Sequence, residues 1–332
     1  MAENRRLAIL GAGSWGTALA IALAPRFETV ALWARDPERA RELDELRENS
    51  RYLPGFRLPN QVAVSNDLAK TLANAGAIIS VVPSGYFRGV VQAAAPHIHP
   101  RTPVVSATKG FEEGSLCRMS QVVQQAAPGS PVAVLSGPTF AKEIAAGEPA
   151  AVVIASEDIA LAEALQSSFS TPALRFYTSR DVAGVEVGAA MKNVIALGAG
   201  ICRGLGLGSN SAAALVTRGL AECTRLAAAM GGDPRTLSGL AGLGDLVLTA
   251  TGDLSRNRAV GIELGRGRKL DEILAQTTMV AEGITTCRAA RELGLRHAVD
   301  LPIAGKMYEV LYQGKDPRAA IRELMERPLT SE

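Results

Sequence analysis

The sequence is poor in aromatic residues, cysteine and histidine. Only 7 Phe, 5 Tyr and 2 Trp occur among 332 residues, which leaves few rings on which nucleic-acid bases could stack. The four cysteines show no C-x-x-C spacing, and a chain of this length needs no disulfides, so we expect a reduced, cytoplasmic protein. With three histidines a hydrolase is not expected, and His97 and His99 have no recognisable third partner for a metal. We therefore predict no metal site.

An excess of one charge and a clean membrane-spanning run are also missing. The 35 basic and 33 acidic residues give a net charge of +2, with no run of five like charges. This balance argues against a nucleic-acid scaffold and a polybasic membrane binder. The uncharged stretch 119–141 is interrupted by three prolines and three glutamines. The apolar stretch after Arg6 runs directly into a glycine motif without a cleavage pattern, so neither a signal peptide nor membrane insertion is predicted.

The first half of the chain alternates short apolar runs with helical patterns. Its length suggests two domains, at ~100–200 residues each. The predicted strands are Leu7–Leu10, Thr29–Trp33, Ala77–Val82, Pro103–Ser106, Val132–Leu135 and Ala151–Ala155. The predicted helices are Thr17–Ala24, Pro37–Glu48, Asn66–Ala73, Gly85–Ala94 and Ile159–Ser168. This alternation predicts a Rossmann-type, doubly wound parallel α/β sheet over residues 1–182.

After about Tyr177 strand patterns disappear, and Ala, Leu and Gly dominate segments of helical periodicity. The predicted helices are Asp181–Ala199, Ala212–Met230, Pro234–Leu240, Arg256–Arg266, Leu270–Gln276, Thr286–Leu293, Pro302–Tyr312 and Pro317–Met325. Residues 183–332 are therefore predicted to form an all-α domain, with the boundary near one long helix.

A glycine motif links the first predicted strand to the first helix. It reads Gly11-Ala12-Gly13-Ser14-Trp15-Gly16. In this context the first Gly makes a tight turn, the second admits a pyrophosphate, and the third allows close packing of helix and strand. The phosphates would lie at the helix N-terminus. We therefore predict a nicotinamide dinucleotide as cofactor.

The end of the second predicted strand carries the residues that distinguish the two nicotinamide cofactors. It reads Trp33-Ala34-Arg35-Asp36. If Arg35 faces the ribose, its guanidinium suits the 2′-phosphate of NADP(H). If Asp36 does, NAD(H) is preferred. Both readings remain open, and use of both cofactors is compatible with either.

Several polar residues stand alone among small and apolar neighbours. Lys192 and Asn193 lie within a predicted helix of small and apolar residues, and lysine is rarely buried without a partner or a function. Burial or a nearby cation would bring the pKa of Lys192 into the range useful for proton transfer. Asp245 lies between glycines and leucines, which implies a partner for its carboxylate. Ser255-Arg256-Asn257 at a helix start suits a phosphate monoester. The polar segments 107–110 and 136–141 have a similar character.

Together these segments resemble the bacterial NAD(P)-dependent sn-glycerol-3-phosphate dehydrogenase family. The resemblance spans nearly the whole chain and includes GAGSWGTALA, SATKGFE, LSGPTFAKEIA, GAAMKNVIALGAGICRGLGLGSN, LAGLGDLVLT, SRNR and VAEG. It implies a helical half like the C-terminal domain of 6-phosphogluconate dehydrogenase. It also implies reversible reduction of dihydroxyacetone phosphate to glycerol 3-phosphate for phospholipid synthesis, with NADP(H) or NAD(H), by a cytoplasmic homodimer.

The resemblance also implies roles for individual residues. Lys192 would be the general acid/base, with Lys109 and Asp245 beside it in the active site. Substrate contacts would come from Lys109, Gly137, Thr139, Lys192, Asn193, Asp245, Ser255, Arg256 and Asn257. Cofactor contacts would come from Gly11, Gly13, Ser14, Trp15, Gly16, Arg35, Tyr52, Lys109, Ala141, Arg256, Val280 and Glu282. Tyr52, Val280 and Glu282 rest on the resemblance alone.

One position departs from the family pattern, and two other functions stay open. Arg203 stands where the family usually has a carboxylate, which puts a local helix pairing or interface contact in doubt rather than the activity.

A related reductase acting on a 3-hydroxyacid or ketopantoate-type substrate is one alternative function. A catalytically silent NAD(P)-sensing protein is the other, and the presence of both Lys192 and Asp245 argues against it.

Overall fold

The computed structural model describes residues 6–276 and 281–329. Ten strands lie in the first half of the chain. They are β1 (Arg6–Leu10), β2 (Thr29–Trp33), β3 (Glu48–Asn49), β4 (Leu53–Arg57), β5 (Val62–Ser65), β6 (Ala77–Ser80), β7 (Val104–Ser106), β8 (Val132–Ser136), β9 (Ala150–Ala155) and β10 (Leu174–Ser179). Eight of them form one sheet in the order β10-β9-β8-β7-β6-β1-β2-β5, and β3 pairs with β4 in a small separate hairpin.

Helices cover both faces of the large sheet. They are α1 (Ser14–Leu23), α2 (Pro37–Leu46), α3 (Leu68–Leu72), α4 (Ser84–Ala94), α5 (Met119–Ala126), α6 (Ala141–Ala145) and α7 (Ile159–Phe169). Side chains of a strand alternate between faces, so Leu7 and Ile9 of β1 pack in one core with α1 and α7. Ala8 and Leu10 pack in the other core with α4 and α5. This is the Rossmann-type arrangement that the alternating pattern predicts.

Three features of the sheet differ from the prediction of six parallel strands ending at Ala155: β5 and β10 were not predicted, and β9 is not parallel to β8. β9 pairs with β8 in the antiparallel direction, whereas β10 pairs parallel to β9. The apolar pattern of a buried strand does not depend on its direction, so the sequence carries no sign of this reversal. β10 was not predicted, although its buried Leu174 and Phe176 alternate with the more exposed Arg175 and Tyr177, as is typical of a strand at a sheet edge.

The second half of the described chain is helical, as predicted. Its helices are α8 (Val182–Gly204), α9 (Ser209–Ala229), α10 (Asp245–Thr251), α11 (Arg256–Gly265), α12 (Leu270–Ala275), α13 (Glu282–Arg296), α14 (Pro302–Gln313) and α15 (Pro317–Met325). The predicted helix Pro234–Leu240 is instead a 3₁₀ turn, Pro234–Ser238, followed by a π-type turn, Leu240–Gly244. The π turn leads into α10, which was not predicted.

The long helix α8 is the core of the helical domain and its link to the sheet domain. Every residue from Val182 to Cys202 is buried. Among the described helices α8 alone is long and apolar enough to cross a membrane, a test that the core helix of a soluble protein also passes. Its Glu186 accepts hydrogen bonds from Arg118 Nη1 (2.7 Å) and from the backbone N–H of Ser120 (2.8 Å) at the start of α5. Helix α8 is thus bonded to the first domain.

Glycines bring the backbones of α8 and α11 into direct contact. Each helix has two glycines four residues apart: Gly200 and Gly204 on α8, and Gly261 and Gly265 on α11. A Cβ atom at Gly200 would lie 2.1 Å from a carbonyl oxygen of α11, and one at Gly261 would lie 2.1 Å from a carbonyl oxygen of α8. No side chain larger than hydrogen fits, so this contact fixes the position of α11 against α8.

Candidate active site

A cavity of about 800 Å³ lies between the sheet domain and the helical domain. The first domain contributes the turn after β1, the end of β2 and the loop after β7. The second domain contributes side chains of α8, α10 and α11 and the start of α13. The carboxyl edge of a parallel sheet is where such folds bind ligands.

The turn between β1 and α1 requires glycine for two different reasons. Gly11 has a φ of +117°, and a Cβ there would lie 2.8 Å from the carbonyl oxygen of Val81. A Cβ at Gly16 would lie 1.9 Å from the carbonyl oxygen of Gly11. Glycine is therefore needed at both positions for the backbone to adopt this turn. A Cβ at Gly13 would meet nothing within 4 Å, so the absence of a side chain there instead leaves space on the cavity side.

The start of α1 fits the pyrophosphate of a dinucleotide. Gly13 is the N-cap and supplies no side-chain acceptor, and the first helical hydrogen bond runs from Thr17 N to Gly13 O (3.0 Å). The N–H groups of the first turn are therefore available to an anion. Trp15 lines the cavity, and its buried indole Nε1 has no partner within the described residues. These donors and the space at Gly13 match the pyrophosphate of a dinucleotide.

One end of the cavity carries the predicted cofactor residues Arg35 and Tyr52, and the predicted cofactor residue Ala141 lines the same cavity. The Arg35 guanidinium lies 5.2 Å from the centre of the Tyr86 ring. Asp36 is the N-cap of α2, where its Oδ1 accepts a hydrogen bond from Glu38 N (3.0 Å). Both residues that could select the cofactor therefore line the same end of the cavity.

At the opposite end, one buried carboxylate holds two lysines from different domains. Asp245, fully buried at the start of α10, accepts from Lys192 Nζ through Oδ1 (2.5 Å) and from Lys109 Nζ through Oδ2 (2.6 Å). Lys192 also donates to Thr249 Oγ1 (2.7 Å), and Lys109 also donates to Gly137 O (3.1 Å). An ammonium has three donors, so each lysine keeps one for a ligand in the cavity that both line.

The surroundings of Lys192 favour loss of its proton. Burial, opposed by the attraction of Asp245 and aided by the repulsion of Lys109, lowers the pKa of Lys192 to about 7. A group with this pKa gives and takes protons near neutral pH, which is the requirement for a general acid/base. When both lysines are protonated, two cations share one carboxylate, and the excess positive charge favours a developing anion nearby.

Two asparagines next to this cluster orient each other. Gly283 N donates to Asn257 Oδ1 (2.9 Å), which leaves Asn257 Nδ2 to donate to Asn193 Oδ1 (2.9 Å). Asn193 lines the cavity, and this chain of bonds leaves its Nδ2 as a donor for a ligand. The backbone N–H of Gly283 in α13 thus orients Asn257 of α11, which in turn orients Asn193 of α8.

Glu282, at the start of α13, connects the helical domain to α4. Its carboxylate accepts hydrogen bonds from Ser84 Oγ (2.7 Å) and from the N–H of Ser84 (3.3 Å). Burial raises the pKa of Glu282, against the lowering effect of the Ser84 bonds and of Arg256. Glu282 and Arg256 both line the cavity, with Arg256 at the N-terminus of α11.

Most of the predicted site residues come together around this one cavity. Gly16, Gly137 and Asp245 are not among its lining residues and lie behind it, and Val280 lies outside the described residues. Thr249 was not predicted, although its i+4 spacing from Asp245 on a helix places both side chains on one face. Within the described ranges no group of three His, Cys, Asp or Glu side chains could hold a metal ion.

Models of a single family match both halves of the chain. The model for the N-terminus of NAD-dependent glycerol-3-phosphate dehydrogenase matches residues 6–162, and the model for its C-terminus matches residues 181–322. The match therefore extends over both domains that form the cavity.

Named relatives match over nearly their full length. A glycerol-3-phosphate dehydrogenase (NAD(P)+) of Koribacter versatilis is 51% identical over 98% of each chain. One of Citrifermentans bemidjiense is 49% identical over 100% of this chain and 99% of its own. The crystal structure of glycerol-3-phosphate dehydrogenase from Coxiella burnetii superposes with a TM-score of 0.94 at 39% identity, covering 98% of this chain and 99% of that one.

Proposed function

Because the chain belongs to the NAD-dependent glycerol-3-phosphate dehydrogenase family, its reaction is the NAD(P)H-dependent, reversible reduction of dihydroxyacetone phosphate to sn-glycerol 3-phosphate, and we propose that Lys192 supplies the proton. The product is a precursor of glycerophospholipids. The observation that supports the role of Lys192 is the buried Lys192–Asp245–Lys109 cluster at the end of a cavity that fits a dinucleotide.

The cluster suits both directions of the reaction, because Lys192 can be protonated for ketone reduction and neutral for the reverse oxidation. NAD(P)H, when bound, supplies the hydride that reduces the C2 carbonyl. Lys192 donates its proton to the oxygen of that carbonyl, and Asp245 and Thr249 hold the ammonium in place while it does so. Lys109 stabilises negative charge on the same oxygen with its remaining donor. In the reverse reaction neutral Lys192 takes the proton from the C2 hydroxyl.

The phosphate of the substrate would bind at the N-terminus of α11. Ser255 caps this ten-residue helix by accepting from Arg258 N (3.2 Å), and Arg256 and Asn257 occupy its first turn beside the cavity. A guanidinium, an amide and free backbone N–H groups are suitable donors for a phosphate dianion. Binding there would orient the carbonyl toward Lys192. We assign Thr139 and Asn193, which line the same cavity, to further substrate contacts.

The cofactor would occupy the remaining length of the cavity. The proposed contacts are the α1 turn with Ser14 and Trp15, then Arg35, Tyr52, Ala141 and Glu282, which all line it. In this arrangement residues 1–182 form the cofactor-binding domain and add Lys109 and Thr139 to the substrate site, and residues 183–332 form the substrate-binding domain and add Glu282 to the cofactor site. We also propose a cytoplasmic homodimer without membrane insertion, for which the support is membership of the family.

One assay separates this function from the alternatives. Oxidation of NADPH and NADH is followed spectrophotometrically with dihydroxyacetone phosphate, with ketopantoate and with a 3-keto acid. We expect rapid turnover with dihydroxyacetone phosphate alone among the three. Turnover of a keto acid instead would assign the protein to the related reductases. Tight cofactor binding without turnover of any phosphorylated ketone would support the silent NAD(P) sensor.

A further inference from the structure

Residues 107–118, the β7–α5 segment, belong to the first domain but pack in the second. The segment carries Lys109 near its start. Its side chains Phe111 and Leu116, each 4% exposed, lie in the hydrophobic cluster of the helical domain together with residues of α8. Burial of these two apolar side chains stabilises the segment against the helical domain. The two domains are therefore packed together directly beside the lysine that pairs with Asp245.

Hydrogen bonds within the β7–α5 segment join its two ends. Phe111 pairs with Arg118 in an isolated antiparallel bridge, and Glu112 N donates to Cys117 O (2.9 Å). A loop closed by such bonds moves as one unit rather than residue by residue. The position of Arg118 at its end therefore determines the position of Phe111, two residues after Lys109.

A buried carboxylate of α8 binds the end of this segment. Glu186 accepts from Arg118 Nη1 (2.7 Å), from Ser120 N (2.8 Å) and from Ser120 Oγ (2.5 Å), and its side chain is 6% exposed. Arg118 Nη1 also donates to Ser120 Oγ (3.0 Å), so all three residues form one network. A buried carboxylate is unfavourable without such donors, so separating the segment from α8 here would cost free energy.

A second ion pair between the same segment and the helical domain is exposed to solvent. Glu113 accepts from Arg288 Nη1 of α13 (2.6 Å), and the two side chains are 63% and 44% exposed. Exposed pairs of this kind contribute little to stability, because water and salt screen them. Of these two Arg–Glu pairs, Arg118–Glu186 is therefore the one that can hold the segment in place.

We propose that the Arg118–Glu186 pair positions Lys109 for the reaction. It fixes the β7–α5 segment on α8, the helix that also carries Lys192, and so keeps Lys109 bonded to Asp245 beside Lys192. Neither Arg118 nor Glu186 is among the residues that line the cavity, so both act through Lys109 and not on a ligand. The inference rests on the proposed function only in the catalytic role given to Lys109.

The test measures the accessibility of Lys109 without substrate or turnover. Acetic anhydride modifies neutral lysine amines, and mass spectrometry of peptides gives each rate relative to exposed Lys70 on α3. Lys109 donates to Asp245 and to Gly137 O and is 16% exposed, so it should react slowly. Glu186→Gln keeps the shape of the side chain and removes its charge. We expect it to raise the relative rate at Lys109 by ~10-fold, as for loss of about one charge-assisted hydrogen bond.

Glu113→Gln is the matched control, because it makes the same change in the exposed pair of the same segment. It should alter the rate at Lys109 by less than about twofold. An unchanged rate at Lys109 in Glu186→Gln would overturn the proposal. An equal rise at Lys306, a lysine of α14 that is 20% exposed, would indicate general unfolding and would also overturn it.

Two further variants keep the test decisive if Glu186→Gln does not fold. Arg118→Lys retains a cation opposite Glu186 and should keep the rate at Lys109 within about threefold of the wild type. Ser120→Ala removes one hydroxyl bond to Glu186 but leaves the ion pair, and should raise the rate by ~3-fold. A rate at Lys109 that ignores Ser120→Ala and rises with Arg118→Lys as much as with Glu113→Gln would contradict the proposal.

Kinetics test the consequence for the reaction. Asp245 attracts Lys192 and Lys109 repels it, and the repulsion lowers the pKa of Lys192. Displacement of Lys109 in Glu186→Gln should therefore move the midpoint of the kcat/KM profile for dihydroxyacetone phosphate to higher pH and lower kcat/KM by ~10-fold. A variant that is only less stable would keep the wild-type midpoint, and that result would overturn the positioning role. The labelling contains no ketone, so failure of wild-type turnover would count against the proposed function alone.

Discussion

The two ends of the cavity use charge in opposite ways. At the cofactor end, Arg35 and Arg51 are exposed side chains held against aromatic rings. At the catalytic end, Lys192 and Asp245 are buried and bonded to each other, with side-chain exposures of 8% and 0%. The first arrangement leaves donors in contact with water and available to a ligand. The second removes the charges from water, which costs free energy unless they are paired.

The difference shows how burial gives a charged side chain a pKa suited to proton transfer. An exposed guanidinium stays protonated at every physiological pH, so it binds anions but transfers no proton. Burial brings the pKa of Lys192 to about 7, and Asp245 keeps the lysine in place in either charge state. We therefore expect the catalytic end to be sensitive to pH and intolerant of substitution. Substitutions at the cofactor end should lower the affinity for the cofactor by smaller factors.

The largest effect should come from removing the proposed proton donor. Lys192→Ala should lower kcat by ~10²- to 10⁴-fold, the usual contribution of general acid/base catalysis. Lys109 would still pair with Asp245, so the buried carboxylate is not left unpaired and the protein should fold. Stopped-flow or steady-state rates are compared with those of Lys70→Ala, a change on the distant helix α3. Near-normal turnover with Lys192→Ala would exclude its proposed role.

An intermediate effect is expected at the phosphate-binding side of the catalytic end. Arg256→Ala should raise KM for dihydroxyacetone phosphate by ~10- to 100-fold through loss of charge-assisted hydrogen bonds. Turnover of unphosphorylated dihydroxyacetone should change much less. Arg266→Ala, at the other end of α11, is the control. If Arg256→Ala left the kinetics with both ketones unchanged, α11 would not be the phosphate site.

The smallest effect, but the sharpest contrast between the two ends, should appear in pH profiles. Ketone reduction needs protonated Lys192, so kcat/KM for dihydroxyacetone phosphate should fall as pH rises through about 7. One unit above the pKa only about a tenth of a group stays protonated, so the fall from pH 6 to pH 8 should be about tenfold. Glycerol 3-phosphate oxidation needs the neutral amine and should rise over the same interval. The Kd for NAD+ should stay nearly flat. Parallel profiles in both directions would contradict a single titrating lysine.

The sequence predicted most of the fold because hydrophobic periodicity reports burial. The strand Thr29–Trp33 has the predicted bounds, and the predicted helix from Asp181 is α8, which extends to Gly204. The direction of a strand and the hydrogen-bonding pattern of a helical turn give no such signal in the sequence. The antiparallel β9 and the π turn at Leu240–Gly244 depend on contacts between distant segments, so local sequence could not predict them.

The candidate site shows the same division. Lys192 and Asp245 stood out because a charge among small apolar residues needs a partner. That they would be each other's partner, 53 positions apart, is a property of the tertiary structure. Thr249 was missed because a threonine in a helix is common and gives no local signal. Only its hydrogen bond with Lys192 places it in the candidate site.

The glycine contact between α8 and α11 has a consequence for substrate size. α8 carries the proposed proton donor, and α11 carries the proposed phosphate site, so in this assignment the backbone contact sets the distance between the two ends of the substrate. A methyl group at any of the four glycines would push the helices apart, whereas changes in the cavity lining would not. Acceptance of a longer phosphorylated ketone during evolution would therefore depend on residues that never touch the substrate.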